Sequence, residues 1–270
     1  MDEEPDRFPL HTAARLGQVS RAEALLKAWH PRPWHENDPK LAKKQDDDGR
    51  YAVHWAASSN SFQIMLMLAE LPGFDPDVQR RQDEKTEAEA LTGTCWTAGQ
   101  DGSGWTALMI AASVADSEPI LTLLLQRGAD VNEKNGSGQT ALHFVASKKN
   151  MDVARLLLAA KPPASTRVRD RRGQYPIHRA AAVGSVPMTT LLLRNRSPLN
   201  PTDGEGFTPL HHAVAEGHGD VAVALLKEGA DFTIRNSADE LALDLAPDKE
   251  VRLYIMRGAE REGIDLSSPS

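Results

Sequence analysis

A short phrase returns along this chain at nearly constant spacing, and that spacing limits the possible folds more than any other feature. It reads Ala107-Leu108-Met109-Ile110-Ala111-Ala112, then Ala141-Leu142-His143-Phe144-Val145-Ala146, then Pro176-Ile177-His178-Arg179-Ala180-Ala181, then Pro209-Leu210-His211-His212-Ala213-Val214. With the His as a ruler, the phrase falls at positions 11, 54, 109, 143, 178, 211 and 244, where Met109 and Asp244 take the place of His. The first two intervals are 43 and 55 residues, and the next four are 34, 35, 33 and 33. A period in this range marks a stacked array in which each unit buries its apolar face only against its neighbours. Seven units are therefore predicted, with extra residues near 30–39 and 79–100.

The residues within one period explain how a unit folds. Asp and Gly build a turn (Asp101-Gly102-Ser103-Gly104, Asp170-Arg171-Arg172-Gly173, Asp203-Gly204-Glu205-Gly206), where positive φ and side-chain to backbone bonds are needed. Thr106, Thr140 and Thr208 stand where a helix N-cap is due, and Pro176 and Pro209 occupy the first helical position, where a missing N–H does no harm. Paired small residues such as Ala111-Ala112 and Ala180-Ala181 allow close helix approach, and leucine runs (Leu123 to Leu125, Leu156 to Leu158, Leu191 to Leu193) supply the stripe of a second helix. Gly128 and Gly229 are placed to end that helix in the left-handed region.

This wording resembles the ankyrin repeat. The resemblance implies an all-α solenoid of seven helix–turn–helix units with β-turn tips, near 7–40, 46–78, 101–134, 135–169, 170–202, 203–235 and 236–256. The first and last units carry charged residues (Arg15, Gln18 and Arg21; Asp244, Asp248, Lys249, Glu250 and Arg252) and read as caps with a polar outer face. Residues 257–270 are rich in Gly, Ser and charge and read as a flexible tail.

Composition narrows the functional classes. The chain has no run of about 18 apolar residues, so no membrane helix is expected, and its acidic start does not read as a secretory signal. A single cysteine, Cys95, points to a reducing compartment, cytoplasmic and nuclear. A net charge of −7 disfavours nonspecific binding to nucleic acid or lipid. Five of the nine histidines fall on the repeat period, where an imidazole ties one repeat to the next. His211, His212 and Glu216 do not make a zinc site, because adjacent helical residues diverge by about 100°. No phosphate-cradling glycine loop is present. The expectation is a protein that is not an enzyme, holds no cofactor and no metal, and is a monomer when free.

A set of phrases goes beyond the generic repeat. Asp48-Gly49-Arg50 before His54-Trp55, Gly104-Trp105-Thr106, Ala146-Ser147-Lys148-Lys149, His178-Arg179-Ala180-Ala181-Ala182-Val183-Gly184 and Ala215-Glu216-Gly217-His218-Gly219-Asp220 occur in this order. Together they resemble the gankyrin family, ankyrin-repeat chaperones of 26S proteasome assembly. The resemblance implies binding to the C-terminal domain of one AAA ATPase subunit of the proteasome base, through charge-complementary contacts on a concave face. It implies that Arg50 and Lys148 meet acidic side chains of that domain, with Glu205 and Glu216 meeting basic ones. The turn tips and first helices add Asp48, Trp55, Asp101, Trp105, Arg171, Arg172, Arg179 and Phe207 as candidate contacts, since aromatic and arginine side chains anchor interfaces. A signalling scaffold, or an ankyrin protein that binds a cyclin-dependent kinase, is the alternative. The two insertions and Met109 depart from the family pattern, as does the absence of the Leu-x-Cys-x-Glu motif of animal members, so binding of the retinoblastoma protein is not expected.

Overall fold

The computed structural model describes residues 6–28, 41–74, 76 and 103–266 of the 270-residue chain. Both insertions, Asp101 and Cys95 lie outside the described residues, as do residues 267–270 of the expected tail. The chain divides into two compact units, Met1–Gly136 and Ser137–Ser270. No helix among the described residues is long and apolar enough to cross a membrane.

The first unit contains three helix pairs: α1 (Pro9–Arg15) with α2 (Val19–Ala28), α3 (Ala52–Ser58) with α4 (Phe62–Ala69), and α5 (Ala107–Ala112) with α6 (Glu118–Gln126). The second contains α7 (Ala141–Lys148) with α8 (Met151–Ala159), α9 (Pro176–Ala182) with α10 (Val186–Arg194), and α11 (Pro209–Ala215) with α12 (Gly219–Lys227). A 3-10 helix (Ala242–Leu245) and α13 (Lys249–Arg261) follow, so seven pairs occur among the described residues. Within each unit, first helices pack on first helices and second helices on second helices. The only β pairing among the described residues is one isolated bridge, Arg235 with Leu241.

Small residues set the close approach of the first helices. Ala13, Ala14, Ala56, Ala57, Ala111, Ala146, Ala180, Ala181 and Ala213 are fully buried or nearly so. In the second helices the leucine runs are used selectively: Leu157 and Leu192, the middle members of their runs, are fully buried while their neighbours stay partly open. Each apolar stripe is thus narrower than the run that encodes it. The expected caps form, with Thr106 Oγ1 accepting from the Met109 N–H at 3.2 Å and Thr208 Oγ1 from the His211 N–H at 3.3 Å. Gly128 and Gly229 take φ of +90° and +89° after their helices.

The end of the array corrects the sequence reading. Helix α13 does not stop at Met256 but runs to Arg261, capped by Asp248 Oδ1, which accepts from the Val251 N–H at 2.8 Å. Ile255 and Ala259 are buried, and Lys227 pairs with Glu262 at 3.0 Å. Gly258 does not break the helix; it lets α13 lie against Val223 of α12, where a Cβ would collide. The closing unit also exposes Leu253, Tyr254 and Met256, so its outer face is not uniformly polar.

Candidate protein-binding surface

The turns of the second, fifth and sixth repeats each begin with an aspartate that organises the backbone. Asp46 Oδ1 accepts from the N–H groups of Asp48 and Arg50 at 3.0 and 2.8 Å. Asp170 Oδ1 accepts from Arg172 and Gln174, both at 2.9 Å, and Asp203 Oδ1 from Glu205 and Phe207 at 3.0 and 2.9 Å. In the last repeat Asn236 does the same for Ala238 and Glu240, both at 2.9 Å. The tips then join through their backbones: Arg171 N–H donates to Ser137 O, Gly204 N–H to Arg172 O and Ser237 N–H to Glu205 O, at 2.9, 2.8 and 2.9 Å.

The second carboxylate oxygen of the same aspartate holds a side chain nine residues onward. Asp46 Oδ2 accepts from the indole N–H of Trp55 at 2.7 Å, Asp170 Oδ2 from Arg179 at 2.9 Å, and Asp203 Oδ2 from Gln174 at 3.2 Å and bonds His212 Nε2 at 2.9 Å. Burial alone would raise the pKa of these carboxyls. The donors around them outweigh that effect and hold all three below the ordinary aspartate value. Reading these aspartates only as turn formers misses this second role, although the signal is present in the sequence: an Asp nine residues before the residue that follows the repeat His.

The periodic histidines do what their spacing suggests. Nδ1 accepts from the N-cap N–H of the same helix in His54, His143, His178 and His211, at 3.0, 3.1, 2.9 and 3.2 Å. Nε2 bonds a carbonyl of the following repeat: His11 to Arg50 O at 3.0 Å, His143 to Gln174 O at 3.2 Å, and His178 to Phe207 O at 3.2 Å. A backbone N–H can only donate and a carbonyl can only accept, so His143 and His178 are held neutral with the proton on Nε2. Burial, and then the neighbouring His212, push His178 down to about 4. Asp244 keeps the accepting half of this role in the seventh repeat, with Oδ2 taking the Leu241 N–H at 3.2 Å. His218, in the loop between α11 and α12, bonds Ala182 O of the preceding repeat at 3.1 Å.

The candidate contacts sort into two groups. In the first unit Asp48 is exposed at its tip, whereas Arg50, Trp55 and Trp105 are half-buried. Arg50 and Arg15 both lie over the Trp55 ring, with guanidinium carbons 4.8 and 5.6 Å from its centroid, an arrangement that orients both cations. Arg50 is therefore a half-buried cation held against its own repeat rather than a freely exposed one. In the second unit Lys148, Arg171, Arg172, Glu205 and Glu216 are exposed. Arg179 is not in that group, because its guanidinium is engaged by the buried Asp170 and its side chain is only 26% exposed. Phe207 is half-buried, 5.4 Å from the His212 ring. No group of three or more potential metal ligands occurs among the described residues.

Stacked helix pairs, turn-to-turn backbone bonds and histidine ties between repeats define an ankyrin-repeat protein. Family models for ankyrin repeats match residues 103–136, for several copies residues 124–180, and for three copies residues 160–236. A Saccharomyces cerevisiae protein described as probable 26S proteasome regulatory subunit p28 is 31% identical over 92% of this chain and 97% of its own length. An ankyrin repeat-containing protein of Schizosaccharomyces pombe is 36% identical over 86% of this chain and 90% of its own. The chain belongs to the gankyrin family, the ankyrin-repeat group of which the yeast p28 protein is a member. Among solved structures, the ankyrin repeat domain of Bcl-3 matches with a TM-score of 0.67 at 22% identity, over 94% of this chain and 99% of that one, a likeness of fold.

Proposed function

We propose that this protein is a non-catalytic chaperone for assembly of the proteasome regulatory particle. In this reading it binds the C-terminal domain of one AAA ATPase subunit through its turn tips and first helices, and its bulk delays docking on the core particle. The observation that carries the reading is the likeness to the yeast p28 regulatory subunit over nearly the full length of both chains. The exposed charges support it, with Lys148, Arg171 and Arg172 facing solvent in one stretch and Glu205 and Glu216 in the next. Alternating sign along a surface selects a partner and fixes its register more than it raises affinity. A folded-domain partner would bury about 1,600 Å² in total.

The test is titration of the whole chain against the isolated C-terminal domains of all six proteasomal ATPases at low and high salt. Tight, salt-sensitive binding to a single domain is expected, and absence of binding to all six overturns the reading. Within a positive titration, Lys148→Glu should weaken binding about tenfold or more with no change in thermal stability. Arg50→Glu should weaken it too, and should also cost about 0.5–1 kcal/mol of folding stability because it removes the cation stacked on Trp55.

A further inference from the structure

Helix α13 packs one side on α12 and leaves the other uncovered. Ile255 and Ala259 are buried, Gly258 meets Val223, and the Tyr254 ring lies over Gly219, where a Cβ would stand 2.6 Å from it. The other side carries Lys249, Leu253, Met256 and Glu260, all exposed. At about 100° per residue these four fall within about 60° of the helix circumference. They are spaced by four, three and four residues, which is the spacing of the contact positions in a coiled coil. Glu250 and Arg257 are exposed as well and flank the row on one side. The ion pairs of this end of the chain use other residues: Arg235 with Asp239, Arg252 with Asp244, and Lys227 with Glu262.

We propose that this face pairs with the same face of a second copy, in a two-fold antiparallel helix pair. Lys249 and Glu260 stand equally far from the midpoint of the row, as do Leu253 and Met256. Antiparallel packing about a two-fold axis therefore sets Lys249 of one copy opposite Glu260 of the other, and Leu253 opposite Met256, with both contacts repeated by symmetry. It also brings Glu250 of one copy beside Arg257 of the other. Parallel packing would oppose like charges at both ends of the row, which disfavours it. The charges single out a second copy as the occupant. A helix of another sequence could cover Leu253 and Met256 equally well, but this one already carries the complement of its own two ends. Its 13 residues span about 20 Å. A single pair of such helices falls below the roughly 1,200 Å² at which stable interfaces begin. Pairing is accordingly reversible, with a Kd of about 10–100 µM, and the free monomer expected from the sequence is the main form at low concentration. The site stands independently of the ATPase reading, which uses turn tips and first helices.

The test is sedimentation equilibrium of the full chain from about 1 to 300 µM, a range that brackets this Kd. The mean mass should climb from monomer toward dimer. Leu253→Ser/Met256→Ser should weaken association about tenfold or more, because it removes the apolar centre of the row. Lys249→Glu should weaken it about threefold or more, since it opposes two carboxylates at both ends. Adding Glu260→Lys to Lys249→Glu should restore association to within about twofold of wild type, because each end pair regains opposite sign. All replaced side chains are exposed, so every variant should keep the wild-type melting temperature at low concentration. A monomer throughout the range, a dimer indifferent to Leu253→Ser/Met256→Ser, or failure of Glu260→Lys to rescue Lys249→Glu would each overturn the proposal.

Discussion

Asp170 serves both its own turn and an ion pair with a single side chain. One oxygen accepts two backbone N–H groups of its own turn and the other pairs with Arg179 at 2.9 Å, while the side chain is only 2% exposed. Asp170→Ala leaves two turn N–H groups and a half-buried guanidinium without their acceptor, and should cost about 2–4 kcal/mol of unfolding free energy. Urea titration of this variant beside Arg179→Ala separates the two functions, and the Arg179 change should be the milder because the turn bonds survive it. Equal costs would mean that the ion pair carries the whole effect. Asp239 is the opposite case: it sits at φ +64°, where the preceding repeats use Gly138, Gly173 and Gly206. Asp239→Gly should relieve left-handed strain and stabilise the chain by up to about 1 kcal/mol, read as a raised melting temperature.

Among the elements, the stacked turns depend on having no side chain at their closest approach. A Cβ on Gly173 would lie 2.8 Å from the Gly204 nitrogen, and one on Gly206 would lie 2.9 Å from the Ser237 nitrogen. Both glycines have φ near +80°. Gly173→Ala therefore combines a left-handed alanine with backbone contact across two turns, and should destabilise by about 2–4 kcal/mol, measured by urea titration. Gly128→Ala meets no neighbour within 4 Å and should cost only the strain of its own φ, about 1–2 kcal/mol. Helices, caps and turns were legible in the sequence because each rests on local chemistry repeated several times: Thr at the cap, Pro at the first position, Gly at the tip. The end of α13 was not. Gly258 reads as a helix breaker until Val223 supplies the tertiary reason for it. The involvement of Trp55 and Arg179 with turn aspartates was hidden for a related reason, since residue type signals an interface anchor equally well whether its polar end faces a partner or its own repeat.

For the molecule as a whole, the repeated histidine makes stability depend on pH above the range where carboxylates protonate. His178 is 1% exposed and shifted to about 4, against 6.5 when free, and burial also lowers His11 and His211. A base whose native pKa is depressed binds fewer protons folded than unfolded, so its contribution is intact above about 6.5 and is lost progressively as the pH falls toward 4. The shift of His178 alone corresponds to about 3 kcal/mol at the bottom of that window. The depressed carboxyls of Asp46, Asp170 and Asp203 act later, because their contribution disappears only as the pH falls below the ordinary aspartate value of 3.8. Urea midpoints should therefore drop steadily between pH 7 and pH 5, before any carboxylate in this set titrates. His178→Asn lowers the midpoint at neutral pH, because it breaks the bonds to Tyr175 and Pro201, but it must also flatten the slope, since it removes the group whose protonation the native state resists. A variant with a lowered midpoint and an unchanged slope would assign the pH dependence to groups other than this imidazole.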